Sequence, residues 1–411
     1  MARLVVPNLG WVVLSEADRA VAERRLSASA AEGTRDELGF GPIHFAYANR
    51  FFPGTSVQQT RLRYIWFICW AYDELLRSHR SQAFPVEALR KIEVRTGKKL
   101  LLNFNNPYRS GIIGWTRFKV GAEPVLMPSG IYWSALKLWG LLRRRENTTQ
   151  APGQAELHAH WIDWSSAKRK DELAHEDHEP IFVDLPPQPD GWTKGNSQLS
   201  FQLTSQESKL IKDRWRSAIE VSAASEPLMS KIARAGIVPK SMWSARVSGL
   251  ASADDKEALE RARKAASLVC IGRALYAAMI EELKNADVRG SQSSKIHMDF
   301  LEKLRLEHRT HALSLDLKEL EFDLRQADRL QQIDKQLIDL LREVQEWSYV
   351  GGGFDQLKPL FLQREISLKN SRAMLAPAAA KRRELWTVSD PAQPLNYRWP
   401  IVSTFLKDLS A

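Results

Sequence analysis

Seven side chains between positions 158 and 179 are of the types that hold transition metals: His158, His160, His175, Glu176, Asp177, His178 and Glu179. Imidazole and carboxylate groups suit zinc or manganese, and four of the nine histidines fall in this stretch. The stretch is polar, however, and no rigid scaffold is evident to hold ligands in place. A solvated loop is therefore the preferred reading, and neither a metal nor any other cofactor is expected. His44, on an apolar segment, reads as a core or surface histidine.

A second set is cationic. Arg61 and Arg63 precede the most apolar run of the chain, YIWFICWAY at 64–72, and Asp73 and Glu74 follow it. Buried ion pairs that orient a helix are the preferred reading. The alternative gives both arginines to a phosphate at a helix start, where backbone N–H groups also favour anions. Loss of folding on mutation supports the first, and loss of binding alone supports the second.

The largest cationic feature lies between Arg90 and Arg145, with twelve basic residues against Glu93 and Glu123. The net charge of this segment equals the +10 of the whole chain. Such clustering attracts phosphates whatever the base sequence. Phe104, Tyr108, Trp115, Phe118, Tyr132, Trp133 and Trp139 lie among the cations, as suits contact with nucleic acid. A further seven basic residues fall within 358–383 with only Glu365 opposing them. The nucleic-acid contacts expected are Arg61, Arg63, Lys98, Lys99, Arg117, Lys119, Arg143, Arg144 and Arg145, joined by Lys369, Arg372, Lys381, Arg382 and Arg383 of this second patch. An acidic face of a partner protein is the competing occupant, above all if the helix before Arg143 is core.

No Walker-type phosphate loop, dinucleotide fingerprint, HExxH helix, nucleophile elbow or paired-cysteine zinc pattern is present. That weighs against standard ATPases and zinc hydrolases. It leaves open a metal-dependent nuclease whose carboxylates are dispersed along the chain.

These residues need elements to position them. A chain of 411 residues exceeds the roughly 250–300 residues a single core usually reaches, so at least two cores are expected. Hydrophobic residues at 44% and charged residues at 26% suit a globular protein. Most of the 14 tryptophans are expected as core anchors. Cys69 and Cys270 stand far apart and suggest neither disulfide nor zinc, which fits a reducing cytoplasm. The apolar stretch near the N-terminus is broken by Pro7, Asn8 and Gly10, so it does not read as a signal peptide. The run 64–72 is too short to cross a bilayer, and no membrane association is expected.

Helical signals dominate. The spacing predicts helices from Ser15 to Leu26, from Gly41-Pro42 to Phe52, and after a capping box formed by Ser56 and Gln59. Asn105, Asn106, Pro107 and several glycines make 97–127 a loop-rich excursion or a small hairpin. Residues 128–145 read either as a winged-helix-like element or as a plain helical hairpin. A Pro/Gly-bearing linker is expected at 146–198, a capping box at Thr204 and Glu207, and two helices within 254–286. Apolar residues from Leu313 to Trp347 predict one long helix over about 301–347, packed along a bundle or paired with a partner. The expectation is a mostly α, multidomain protein: 1–145 with a basic surface, the linker 146–198, a helical unit 199–350, and a basic C-terminal segment 351–411 docked on a core.

The segments GWVVLSEADR, ELGFGPIHFAYANRFFPGTSVQQTRLRYIWF, PSGIYWSALKLWG and LNYRWP together resemble an uncharacterised bacterial family known only as a domain of unknown function. The block FPGTSxxQTRxRY is the most specific of them. The resemblance implies an origin in phage-defence loci, beside helicases and phospholipase-D-like nucleases, and brings no catalytic residues with it. The function expected is an accessory, non-catalytic DNA-associated subunit of an anti-phage system with a helicase or nuclease partner. A metal-dependent nuclease and a scaffold acting through the 301–347 helix are the alternatives.

Overall fold

Apolar residues recur at helical spacing through most of the chain, and the architecture follows that pattern. The computed structural model describes residues 38–78, 83–103, 111–144, 151–166, 181–195, 197–218, 226–287, 294–327 and 334–410. The helix expected from Ser15, and Phe104, Tyr108 and Arg145, lie outside them. Among the described residues there are seventeen α-helices, three short 3-10 turns and one isolated antiparallel bridge, Leu142 to Phe182. The protein is mostly α. One contiguous apolar cluster runs from Leu38 to Leu409. It includes Leu157, Trp161, Ile181, Phe182 and Trp192, so the stretch expected as a polar linker packs much of its described part on the core.

The centre of this core is a single helix, Ala253–Asp287, of 35 residues, about 50 Å long at 1.5 Å per residue. Ser252 caps it: its hydroxyl accepts the Asp255 N–H at 3.2 Å and donates to the Asp255 carboxylate at 2.8 Å. Where two helices were expected, the chain continues, because alanines at 258, 262, 265, 266, 274 and 278 are buried and let neighbouring helices come close. Gly272 serves the same end, with the Phe40 ring 3.1 Å from where a β-carbon would stand.

The opposite correction applies to the expected long helix at 301–347. It is three helices, Ile296–Leu313, Leu317–Ala327 and Lys335–Val350. Aspartates make the breaks. Asp316 accepts the Lys318 N–H at 2.8 Å, and Asp334 accepts the Gln336 N–H at 3.1 Å, each starting a new helix by supplying an acceptor to its first turn. Leu320, Leu324, Leu337, Leu340, Val344 and Trp347 are buried in the core. The periodic stripe that suggested a partner-binding scaffold faces the protein's own interior.

The winged-helix reading of 128–145 gives way for the same reason. Helix Pro128–Leu138 buries Tyr132, Trp133, Ala135 and Leu136, which leaves outward only a narrow face of Gly130, Ser134 and half-buried Lys137. The chain after it makes only the bridge at Leu142, flanked by hydrogen bonds from Arg143 N to Ile181 O and from Val183 N to Leu141 O, both 2.9 Å.

Three of the four segments that carry the resemblance meet in one buried knot, and GWVVLSEADR lies outside the described residues. Ser56 and Gln59 do bond, Ser56 N to Gln59 Oε1 at 3.0 Å, but they close a turn, and the helix starts only at Tyr64. Tyr132 takes the N–H groups of Thr60 and Arg61 at 2.8 and 3.1 Å and donates to Arg61 O at 2.7 Å. Asp408, in the last helix Trp399–Asp408, accepts the Leu62 N–H at 2.8 Å. Trp139 Nε1 donates to Pro53 O at 2.8 Å, against Gly54, whose φ of +78° and lack of a β-carbon admit the indole. Phe52 and Trp399 pack with ring centres 5.8 Å apart. The block FPGTSxxQTRxRY is thus a joint between the first and last parts of the fold.

Candidate nucleic-acid interface

The helix Val86–Leu101 is amphipathic, burying Leu89, Ile92, Val94 and Leu100 and exposing Lys91 and Lys98. Gly97 stands in its interior, where the sequence suggested a loop. The Phe118 ring lies 2.7 Å from the position a Gly97 β-carbon would take, so the missing side chain is the seat for this ring. Phe118 belongs to the five-residue helix Trp115–Lys119. Residues 114–124 fold back on themselves, with Pro124 against Gly114 at φ +77°, and form a compact spur in place of a hairpin.

Arg90 also ties the spur to the helix: its Nε binds Glu123 at 2.9 Å and a second nitrogen donates to Pro124 O at 3.3 Å. Within the spur Arg117 Nε donates to Glu123 O at 2.8 Å. The Lys119 ammonium sits 4.5 Å from the Trp115 ring centre. The result is a surface on which Lys91 and Lys98, seven residues and two turns apart on one stripe, lie beside exposed Arg117 and Lys119. Lys91 was not among the expected contacts, although its spacing from Lys98 is the signal that could have found it.

Other expected contacts are committed inside the protein. Arg61 is buried, its Nε 2.9 and 3.0 Å from the two Asp408 oxygens, with a second nitrogen also on Asp408. Arg63 is buried against Glu207 at 2.8 Å and Ser200 O at 3.0 Å, and Glu207 at the same time closes the expected cap with Thr204. Both arginines stand in buried ion pairs, with Asp408 and Glu207 as partners, while Asp73 and Glu74, which follow the helix, pair with Arg77 and Arg95. Lys99 is 2% exposed and its ammonium donates to Gly191 O and Trp192 O at 2.7 Å and to Lys194 O. Burial and the nearby Arg95 push its pKa down. Arg383 is also 2% exposed, bound to Asp287 at 2.6 Å and to Met374 O and Ala376 O. Lys369 pairs with buried Glu365 at 3.1 Å.

The expected second patch is correspondingly thin: Arg372, Lys381 and Arg382 are exposed, and Arg382 already donates to Ala373 O at 3.3 Å. Arg144 is exposed and Arg143 half-buried. Of the interleaved aromatics, Tyr132, Trp133 and Trp139 are core, and Phe118 lies on Gly97. Trp115 alone of the described ones shares the outer surface with a cation.

Among the described residues no three His, Cys, Asp or Glu side chains stand together as a metal site. His175 to Glu179 lie outside those residues. His158 is packed flat on Phe84, ring centres 3.5 Å apart. Tyr72 hydroxyl accepts from Gln154 at 3.1 Å and shares a 2.7 Å hydrogen bond with His158 Nε2, and burial pushes the imidazole pKa down to about 4. His160 is exposed beside Asp163 at 3.4 Å. His44 is buried, and burial with the Arg398 and Arg273 charges pushes its pKa down to about 3.

The chain belongs to a family described as a family of unknown function (DUF6361), matched over residues 6–411. No curated protein and no solved structure matches it. Membership in DUF6361 thus bears on the whole fold, the buried joint at 52–64 and the spur included. Among the described residues no helix is long and apolar enough to cross a membrane.

Glu93 is the one buried carboxyl next to the spur. It accepts the Ser129 N–H at 2.7 Å, at the start of helix Pro128–Leu138, beside a void of about 10 Å³ lined by Tyr64, Phe67, Ile68, Thr96 and Pro128, the size of one water. Burial pushes its pKa from 4.5 up to about 7, against the opposing effects of the Ser129 hydrogen bonds and Arg90. The folded state therefore holds this proton more tightly than the unfolded chain. Its contribution to stability is fully present below pH 4.5 and is lost as pH rises through 7, a loss on the order of 3 kcal/mol at 1.36 kcal/mol per pKa unit. Glu93→Gln is expected to match wild type in thermal unfolding near pH 5 and to exceed it near pH 8. Parallel stability curves across that range would show that Glu93 does not titrate in this way.

Proposed function

We propose that this protein is an accessory, non-catalytic DNA-associated subunit of a bacterial anti-phage system, working with a helicase or nuclease partner in the cytoplasm. The observation that carries the reading is the pairing of Lys91 and Lys98 with Arg117 and Lys119, held side by side by Phe118 on Gly97. Four exposed cations lie on this face against Glu87, one turn before Lys91, and Glu123, which Arg90 engages. Phosphates meet such a surface by releasing counterions. The defence setting and the partner classes rest on the resemblance of the FPGTSxxQTRxRY block.

The non-catalytic part of the reading is supported by the absence of the standard catalytic motifs from the sequence and by a resemblance that brings no catalytic residues with it. A metal-dependent nuclease with dispersed carboxylates would instead degrade DNA when manganese or magnesium is added.

Purified protein is expected to shift DNA in a mobility assay at low salt. Four phosphate contacts predict a slope of log K against log salt of about −3 to −4. No shift at low salt, or a shift insensitive to salt, would contradict the reading.

A further inference from the structure

The spur exposes more than charge. Val120, Val125 and Leu126 are 78%, 73% and 56% exposed, within a few residues of Arg117 and Lys119, and the Trp115 ring lies under the Lys119 ammonium. Duplex DNA presents phosphates outward and keeps its base faces stacked within. Aliphatic side chains set among the cations would gain nothing against such a backbone. An unpaired strand offers apolar base faces together with phosphates, which suits a surface that carries exposed aliphatic side chains next to exposed cations.

We propose that the spur at 114–126 binds single-stranded nucleic acid in preference to duplex, with Lys91, Lys98, Arg117 and Lys119 tracking phosphates and Val120, Val125 and Leu126 packing on unpaired bases. The proposal rests on the nucleic-acid reading above and deepens it. A helicase or a nuclease partner would produce the ligand in question, an unwound or resected strand.

Fluorescence anisotropy with the full-length protein and one labelled oligonucleotide, presented alone and as its duplex, tests it. The single strand is expected to bind about tenfold more tightly than the duplex, as burial of roughly 55 Å² of apolar surface would supply. In the variant Val120→Ser/Val125→Ser/Leu126→Ser the single-strand affinity is expected to fall to near that of the duplex, with duplex binding and thermal unfolding unchanged. RNA of the same sequence identifies the sugar accepted, and a single-strand preference with either sugar supports the proposal. Equal or tighter binding of duplex overturns it. So does a serine variant that binds the single strand like wild type, which would assign the aliphatic residues to a protein partner. Absence of binding to any form overturns the nucleic-acid reading itself.

Discussion

Asp408→Ala is expected to lower the unfolding free energy by about 3–5 kcal/mol, because it leaves the Arg61 guanidinium buried without its counter-ion. It also removes the acceptor for the Leu62 N–H, so the start of helix Tyr64–Ser78 is uncapped as well. Burial pushes the Asp408 pKa up even though Arg61 opposes the shift. Desolvation therefore outweighs the attraction at this carboxyl, and the intact pair is not a large net source of stability. The two statements are compatible, since breaking such a pair costs far more than exchanging both members for apolar groups. Arg61→Met combined with Asp408→Leu is accordingly expected to recover most of the loss. Chemical denaturation measures both variants. A single Asp408→Ala variant within about 1 kcal/mol of wild type would show that the joint is not held in this way.

The second large effect is expected on binding and not on folding. Lys98→Glu/Arg117→Glu/Lys119→Glu should weaken DNA binding by about a hundredfold or more at moderate salt and reduce the magnitude of the salt slope by about 3. All three residues are exposed, so thermal unfolding should be little changed. Arg61→Glu and Arg63→Glu should do the reverse and remove the folded protein along with any binding. The comparison separates cations that face a ligand from those that hold the structure together.

That separation is what the linear sequence concealed. Formal charge counts every cation equally, yet Arg61 is paired with a carboxylate 347 positions away, and the Lys99 ammonium donates to carbonyls more than 90 positions away. No periodicity reports such partners. Local signals were legible where the physics is local: Gly41-Pro42 starts a helix, Glu207 and Thr204 close a cap, and the run at 64–72 is a buried helix. Gly97 was misread because glycine marks a turn only when nothing else needs its space, and here Phe118 does. The stretch 301–347 was misread because freedom from glycine and proline does not prevent Asp316 and Asp334 from capping new helices. The resemblance was legible as a pattern but not as a role, and the structure places its most specific block in the buried joint with the last helix.

The spur itself was half visible. Its charge was evident in Arg117 and Lys119, but the turn of helix to which it is pinned was hidden by the glycines around it. Lys91 joined the surface only once Lys98 was seen on the same stripe.

The central claim is that nucleic acid meets the face built from helix Val86–Leu101 and the spur. Photo-crosslinking of bound DNA followed by peptide mass spectrometry tests it most directly. Crosslinks are predicted in the peptides that carry residues 91–98 and 114–126. Crosslinks confined to 358–383 and 143–144, with those peptides untouched, would contradict it.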